Sequence, residues 1–389
     1  MFFSRTNRRV AKIDRTARLA VGGFDYDSLV MRPRIFASQN VALRLAALTR
    51  FVALTLAVAC AAVPGALGEK KPQQLEKPMA GPRGTALRVT WLYISPDTGS
   101  QKVDRVQIGR ELVVVEHSGP WVRVYANTDI QEARQKDAPL IGHDETPPPI
   151  SGWMEAKGVV IETTAGGDLV LMGEAANQEA LASDPRGPVN AAVSARLLYQ
   201  RLAEMFPNST FVPEAMWRAA DILWQLQKAD ASTRPSAKER DPYLRDQMDE
   251  DDLKKIIRLY PHTRPADLAA FELIDNKLCG DWQGSTKCPE RESEVYEKYA
   301  TEYPDGPRTA QALYQATYRQ AVLTDMYAAD GNDKKRGEAH NHARELATRL
   351  RELNVRLKDK LPPSDFAARA AALVFKLDEG IPVYGIDRE

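Results

Sequence analysis

The sequence has few of the residues on which metal and thiol chemistry depends. Among its 389 residues there are three cysteines and five histidines, too few for a site built from four cysteines. The one close histidine pair is His340 and His342, two positions apart on a predicted helix. Side chains at i and i+2 of a helix point about 200° apart, so these two cannot share a metal ion. We expect solvated surface histidines and no metal site.

Motifs that mark catalytic or nucleotide-binding sites are also absent. The sequence has no G-x-S-x-G, no phosphate-binding loop, no H-E-x-x-H and no dinucleotide fingerprint. Asp249 to Asp252 form a run of four carboxylates, but the run lacks the spacing of a calcium loop. It lies where a helix should begin, and acidic side chains there oppose the positive end of the helix dipole. The sequence therefore predicts a protein that is not an enzyme and that has no cofactor.

Net charge is absent as well, because 53 basic residues balance 53 acidic ones. The balance conceals an asymmetry: ten basic and only three acidic residues lie between Met1 and Gly68. The rest of the chain then carries 43 basic and 50 acidic residues. A net negative body repels a phosphate backbone, so nucleic acid is excluded as a partner.

One uncharged apolar run stands out, from Phe51 to Val63. Arg44 and Arg50 precede it, and small residues ending in Gly68 follow it, a layout typical of a secretory signal peptide. The run is too short to span a bilayer comfortably. We predict a leader over residues 1–68, with Met31 as an alternative start, and export to the periplasm or cell envelope.

Cys60 gives the leader a second interpretation. Leu56-Ala-Val-Ala-Cys60 loosely resembles a lipoprotein box, so lipidation of Cys60 and cleavage near Ala61 or Gly68 both remain open. Residues 69–84 are rich in Pro, Lys and Gln and predict a tether. Contact with a membrane is expected only through an N-terminal lipid.

Residues 85–162 have the pattern of short strands. Ala86–Thr90 and Trp121–Tyr125 alternate between apolar and polar residues, Leu112–Val115 is apolar and rich in valine, and glycine-containing turns separate these stretches. Several short strands in so few residues predict a small all-β barrel.

The order of motifs in this stretch resembles a bacterial SH3 domain. The resemblance rests on Thr85–Asp97, Val106–Leu112, Glu116–Val124 with its Ser118-Gly-Pro-Trp121 step, and Gly152-Trp153-Met154. An insert over residues 127–150, which ends near Pro147-Pro-Pro149, departs from the family pattern and predicts an exposed loop.

The SH3-like resemblance implies a ligand site formed by aromatic side chains. Tyr93, Trp121, Tyr125 and Trp153 would line a groove for a peptide or a cell-wall component. The alternative is that two or more of them fill the core of a small barrel, which has little else to use.

Residues 163–191 predict a linker with a short helix near 174–182, and residues 192–389 have helical periodicity that repeats. Pro207, Pro261 and Pro304 mark three copies. Each proline follows an aromatic residue. The three copies also have similar residues at the positions eight before, eight after and ten after the proline. The matching positions are Tyr199, Leu253 and Tyr296; Phe206, Tyr260 and Tyr303; Ala215, Ala269 and Ala312; Trp217, Phe271 and Tyr314.

Helical units that end in Phe206-Pro-Asn-Ser209 or Tyr303-Pro-Asp-Gly306 resemble tetratricopeptide repeats. The resemblance implies an all-α array of helical hairpins with a surface that binds a protein partner. The proline offsets of 54 and 43 residues exceed the usual period of about 34, so the loops are expected to be enlarged.

A further helix is predicted over residues 333–360. An apolar seam at 4-3-4-3-4 spacing runs along it, formed by Ala339, Ala343, Leu346, Leu350, Leu353 and Leu357. We expect this seam to pack against the third repeat and a helix over 366–377. Pairing with a second chain is the alternative.

The segment Cys279-Gly-Asp-Trp-Gln-Gly-Ser-Thr-Lys-Cys288 lies between the second and third repeats. An oxidising envelope favours a disulfide between Cys279 and Cys288, and two reduced cysteines are the alternative. Trp282, at the tip, either folds back onto the array or is offered to a partner.

Taken together, the sequence predicts a multidomain, exported, non-catalytic adaptor. A small SH3-like barrel would contact a peptide or cell-wall component, and a tetratricopeptide-like array would bind envelope proteins. One alternative is a peptidoglycan-remodelling hydrolase, with Asp129, Asp144 and Glu145 as available carboxylates, or the activator of one. Another is a structural subunit of an outer-membrane complex.

Overall fold

The computed structural model describes residues 80–129, 150–358 and 364–384. All of them lie in one compact unit, Lys71–Glu389. The predicted leader, the alternative start at Met31, Cys60 and most of the tether lie outside the described residues. So do Asp144 and Glu145 of the predicted insert.

The first part of the described chain is a seven-stranded antiparallel sheet. Its strands are β1 (Arg83–Ala86), β2 (Thr90–Tyr93), β3 (Lys102–Val106), β4 (Glu111–Ser118), β5 (Trp121–Ala126), β6 (Ile150–Glu155) and β7 (Val159–Ile161). Their order across the sheet is β3-β2-β6-β5-β4-β1-β7. The predicted strands at Leu112–Val115 and Trp121–Tyr125 are confirmed, whereas the stretch predicted from Ala86 to Thr90 is divided between β1 and β2.

The sheet curls around one apolar core. Leu92, Val106, Val124 and Met154, from four different strands, belong to the same buried cluster. The backbone N–H of Gly109, just after edge strand β3, donates to the carbonyl of Ala86 at the end of β1, 3.0 Å away. The turn after β3 therefore reaches the other side of the sheet.

Nine α-helices follow the sheet within the described residues. They are α1 (Gly167–Ala182), α2 (Ala191–Met205), α3 (Val212–Ser232), α4 (Asp251–Leu259), α5 (Arg264–Glu272), α6 (Lys287–Glu302), α7 (Thr309–Ala329), α8 (Asp333–Arg356) and α9 (Phe366–Asp378). None of the described helices is both long enough and apolar enough to cross a membrane.

The segment predicted as a linker is mostly helix. Helix α1 begins at Gly167, several residues before the predicted start at 174. Its Leu171 and Ala175 are fully buried in one cluster with Leu198 and Leu202 of α2. Burial of this apolar stripe stabilises the longer helix, so α1 packs as part of the helical array.

The repeats predicted from the proline spacing also repeat in backbone conformation. Phe206, Tyr260 and Tyr303, which end α2, α4 and α6, have φ/ψ of −125°/60°, −129°/52° and −124°/65°. Eight residues after each proline, Ala215, Ala269 and Ala312 are fully buried. The small alanine lets the paired helices approach closely. The array is therefore built from helical repeats.

The middle repeat has the shortest helices and the longest connections. Helices α4 and α5 have nine residues each, against 15 and 21 for α2 and α3. Two 3-10 turns, Pro235–Lys238 and Pro242–Leu244, lie in the connection from α3 to α4. A third, Asp275–Lys277, follows α5. The enlarged loops predicted from the proline offsets are these two connections.

The apolar seam of α8 faces the rest of the chain. Leu346, Leu350, Leu353 and Leu357 share a buried cluster with Tyr299 of α6. Ala370 of α9 belongs to the same cluster, and Ala339 and Ala343 of the seam are buried too. Packing within the chain therefore accounts for this pattern.

Candidate functional site

The four predicted aromatic residues lie on one face of the sheet. Tyr93 of β2, Trp121 and Tyr125 of β5 and Trp153 of β6 alternate with core residues of their strands, so they point outward. Strand pairing aligns Tyr93 with Trp153, and β6 lies between β2 and β5. Tyr93 and Trp121 meet edge to face, with ring centroids 5.6 Å apart. We call these residues together with Trp91 the aromatic face.

The sheet core does not use these aromatic side chains. Its buried residues are aliphatic or methionine: Ala86, Leu92, Val106, Leu112, Val114, Val122, Val124, Ala126 and Met154. Tyr93, Trp121, Tyr125 and Trp153 each remain partly exposed. The alternative that two or more of them fill a small barrel core therefore does not describe this sheet.

Trp91 extends the aromatic face and was not among the predicted residues. Its side chain is 38% exposed, and it pairs across the strands with Arg105. Lys102 Nζ lies 4.8 Å and Arg105 Cζ 5.2 Å from the centre of its ring. The alternation of Trp91 with buried Leu92 was the sequence signal, since Trp91 and Tyr93 are two positions apart on one strand.

A buried charge network joins the sheet to the helical array. Arg201 of α2 is 4% exposed. Its Nη2 lies 3.3 Å from Asp129 Oδ2 and its Nη1 lies 3.6 Å from Glu111 Oε1. Arg110 Nη1 is 3.2 Å from the same Asp129 oxygen. Glu204 pairs with Arg201 and is 3.7 Å from Arg83.

A close approach at Gly109 brings the same surfaces together, and a hydroxyl contact holds the start of the insert against β4. Gly109 has φ of +81°, and a Cβ there would lie 2.7 Å from Leu197 Cβ of α2, so only glycine fits this approach. Thr128 Oγ1 donates to Glu111 Oε2 at 2.5 Å.

Asp129 therefore differs from the sequence expectation of an exposed insert. It is 5% exposed because two arginines and the backbone N–H of Glu111 engage its carboxylate. These contacts assign Asp129 to the junction between the sheet and α2. The start of the predicted insert, residues 127–129, is thus folded against β4.

Two grooves open between successive first helices of the repeats. One, of about 360 Å³, lies between α2 and α4 and includes Ala203, Ile256 and Leu259 among its lining residues. The other, of about 370 Å³, lies between α4 and α6 and includes Ile257, Val295 and Tyr299. Leu259 is 49% exposed although it is apolar.

Cys279 and Cys288 form a disulfide, with Cα atoms 5.9 Å apart. Trp282 of the closed loop folds back onto the array. Its ring lies 6.3 Å from that of Tyr318 and 6.1 Å from that of Tyr384, and Arg319 packs over it at 5.7 Å. Of the two alternatives for Trp282, the structure has the folded-back one.

A buried carboxylate anchors this loop. Glu292 of α6 is 1% exposed, and its Oε1 accepts from Cys279 N at 2.8 Å and from Trp282 Nε1 at 3.2 Å. Its Oε2 accepts from Arg319 Nε of α7 at 2.9 Å. Because a buried ion pair needs its remaining hydrogen bonds satisfied, the loop contributes to the stability of the α6–α7 pair.

His340 and His342 are half-buried and each is hydrogen-bonded to another helix, whereas solvated surface histidines were expected. His340 Nε2 lies 2.8 Å from Asp378 of α9, and His342 Nε2 lies 3.0 Å from Glu297 of α6. The hydrogen bond to Glu297 raises the pKa of His342. Burial would raise the pKa of Glu297, but its hydrogen bonds from His342 and Ser293 offset this, and its pKa is lowered.

The two histidines point to different helices, as their spacing predicted. No cluster of three or more His, Cys, Asp or Glu side chains that could hold a metal ion occurs among the residues that the structure describes.

Among known proteins, this chain is similar to solved structures of helical repeat proteins, at low sequence identity. No family model matches the chain, and no curated protein matches it. The de novo designed helical repeat protein DHR64 is similar over 55% of this chain and 94% of its own, with 14% identity and a TM-score of 0.22. The DHF58 filament gives 15% identity and a TM-score of 0.21, covering 55% of this chain and 93% of that chain.

TM-scores this low carry no argument, so the class of the protein rests on its own geometry. The described chain is an antiparallel sheet followed by a helical-repeat array, a mixed β plus helical-repeat architecture. A charge network joins the two parts, and the sheet carries a partly exposed aromatic face.

Proposed function

We propose that this protein is a non-catalytic adaptor of the bacterial cell envelope. In this proposal the sheet is an SH3-like barrel that binds a peptide or a cell-wall component through the aromatic face. The helices are a tetratricopeptide-like array that holds a protein partner. The leader exports the chain, and lipidation of Cys60 would anchor it.

The aromatic face carries the proposal for the sheet. Five aromatic side chains, Trp91, Tyr93, Trp121, Tyr125 and Trp153, lie outward over three adjoining strands while the core is filled without them. Aromatic side chains present large apolar area at low entropic cost and can stack on sugar or peptide groups. Lys102 and Arg105 beside Trp91 add positive charge at one end of the face.

The grooves between α2, α4 and α6 support the proposal for the array. Stacked helical repeats commonly bind extended peptides or helices along such surfaces. Leu259 and Ile256 give the first groove an apolar wall, and Glu204, Asp252 and Lys255 give it a polar rim.

Retention on purified peptidoglycan tests the sheet. We expect the full chain to be retained, and Trp121→Ala and Trp153→Ala to be retained at least tenfold less, which corresponds to about 1.4 kcal/mol. Tyr243→Ala is the matched control, because Tyr243 is 86% exposed but lies on the array. Equal retention of all four proteins, or no retention of any, would count against wall contact.

Crosslinking in the native cell followed by capture tests the array. Leu259→Glu introduces a charge into the groove and should reduce the yield of a crosslinked envelope protein. Leu226→Glu is the control, because Leu226 of α3 is 43% exposed and does not line that groove. If both variants capture the same partner as the wild type, this groove is not the binding surface.

A further inference from the structure

A third cleft lies where the two enlarged connections meet. Its volume is about 320 Å³, and its walls come from the end of α3, the connection to α4 and the segment from Asp275 to Cys279. Ala231, Met248, Leu278 and Cys279 supply apolar wall. The Gly280 N–H donates to the carbonyl of Glu239 at 3.2 Å, and Arg240 Nε donates to Gln283 Oε1 at 3.0 Å. The disulfide loop thus braces one side of the cleft.

Arg245 is the unusual residue of this cleft. Its Nε and Nη2 atoms are buried and hydrogen-bond to no group of the described residues. Burial lowers the pKa of Arg245, which is the expected effect of taking a cation out of water. A buried donor without a partner costs free energy, and a guanidinium more than a neutral group.

The other charged groups in the cleft already have partners. Asp275 accepts from Lys228 Nζ at 2.6 Å and from Trp224 Nε1 at 3.3 Å. Asp246 accepts from Ser236 Oγ at 2.9 Å and lies 3.2 Å from Arg234 Nη1. Of the four charged residues that line the cleft, Arg245 alone has no ion pair among the described residues.

The two unpartnered atoms have a geometry that favours one ligand class. Nε and Nη2 form one edge of the planar guanidinium, with two parallel N–H donors, which matches the two oxygens of a carboxylate. Arg245 lines the cleft, and since these two atoms are buried, binding would require a change of rotamer that turns this edge toward the ligand. Seven of the twelve residues that line the cleft are polar or charged and five are apolar. A cleft of this volume with such a mixed lining can hold a small polar ligand or a side chain.

We propose that this cleft, with Arg245 as its anchor, binds a carboxylate group. The carboxylate belongs to an acidic side chain or C-terminus of the protein held by the array. The assignment of the carboxylate to a protein partner rests on the proposed function, whereas carboxylate binding by the cleft does not. The location of the cleft supports a binding role. It lies between two connections that are longer than a helical repeat requires, and binding residues are often found in such loops.

The test is a titration of the full chain with N-acetylglutamate as the probe and inorganic phosphate as the second arm. We expect N-acetylglutamate to raise the midpoint of thermal unfolding to a plateau, with a Kd on the order of 1 mM for so small a ligand. Arg245→Met should lose this response. Arg258→Met, at an exposed position on α4 outside the cleft, should keep it.

A second measurement does not depend on how the variant folds. The side-chain Nε–H signal of Arg245 in wild-type protein should shift with N-acetylglutamate over the same concentration range. An unchanged signal, an equal thermal response in Arg245→Met, or a stronger response to phosphate would overturn the carboxylate site. Failure of the crosslinking experiment would contradict only the proposed adaptor function. Failure of this titration would contradict only the proposed carboxylate site in the cleft.

Discussion

Glu272, the last residue of α5, shows how a single carboxyl group can make stability depend on pH. Burial raises its pKa to about 7, and the neighbouring carboxylates of Asp221 and Asp275 act in the same direction. Gln225 Nε2 donates a long hydrogen bond to Glu272 Oε2, 3.4 Å away. The ionised form is thus poorly compensated, and the folded state binds its proton more tightly than the unfolded chain does.

Glu272→Gln should remove this pH dependence. The raised pKa contributes stability that is present below the ordinary value of 4.5 and is lost as the pH rises through about 7. The variant should therefore have a higher free energy of unfolding than wild type above pH 7 and show no such gain below pH 4.5. Urea unfolding across this range is the measurement. Exposed Glu239→Gln is the control, and parallel pH profiles for Glu272→Gln and wild type would contradict the assignment.

At the scale of elements, apolar periodicity and turn residues in the sequence were enough to predict individual strands and the ends of helices. Alternation around Val122 and Val124 predicted β5, and the aromatic–proline pairs predicted where α2, α4 and α6 end. Helix α1 was underestimated because Gly166-Gly167 resembles a linker, whereas the stripe of Leu171 and Ala175 is stabilised by packing against α2. Local pattern does not contain such tertiary contacts.

The candidate site was predicted only in part: the sequence identified most of the aromatic face but not the residues whose role depends on distant contacts. Four aromatic residues of the face were named because they belong to recognisable motifs, and their outward direction follows from strand alternation. Arg245 could not be found from sequence, because its significance is the lack of a partner in a folded cleft. Asp129 was misjudged because Arg201, one of its partners, is 72 positions away in the chain.

The disulfide loop gives the prediction that belongs to the element scale. Replacing both cysteines, Cys279→Ser with Cys288→Ser, should lower the free energy of unfolding by about 2–3 kcal/mol, since the loop is short. The helices should persist, because Glu292 and Arg319 remain paired. Urea unfolding with an unchanged m-value is the expected result. Wild type with reductant should behave like the variant, and a midpoint that does not change with reductant would refute this role.

At the scale of the whole molecule, the sheet and the array are joined through α2. Arg201 places one guanidinium against carboxylates from β4, from the start of the insert and from its own helix. Leu197 of the same helix approaches Gly109 closely. We therefore expect the two parts to unfold as one cooperative unit, which a flexible linker between them would not produce.

Arg201→Met should uncouple the two parts. It leaves Glu111 and Asp129 buried with fewer cations, and removing one partner of a buried pair typically costs about 3–5 kcal/mol. Three of the six tryptophans lie in the sheet and three in the array. Tryptophan fluorescence should then show two unfolding transitions, of which only one coincides with the loss of helical circular dichroism. Arg356→Met, which removes an exposed pair with Asp305, should change stability by less than about 1 kcal/mol. A single coincident transition in Arg201→Met would contradict the junction.

The short sequence distance between Cys279 and Cys288 also bears on how the chain matures. The two residues are only nine positions apart, and loops of this length close within about 10–100 ns. Their encounter therefore requires no long-range order and can precede the packing of α6 against α7. Contact between the two thiols is thus not the slow step in forming the bond. The rate instead depends on the oxidant that takes up the two thiol hydrogens with their electrons, on a scale of seconds to hours.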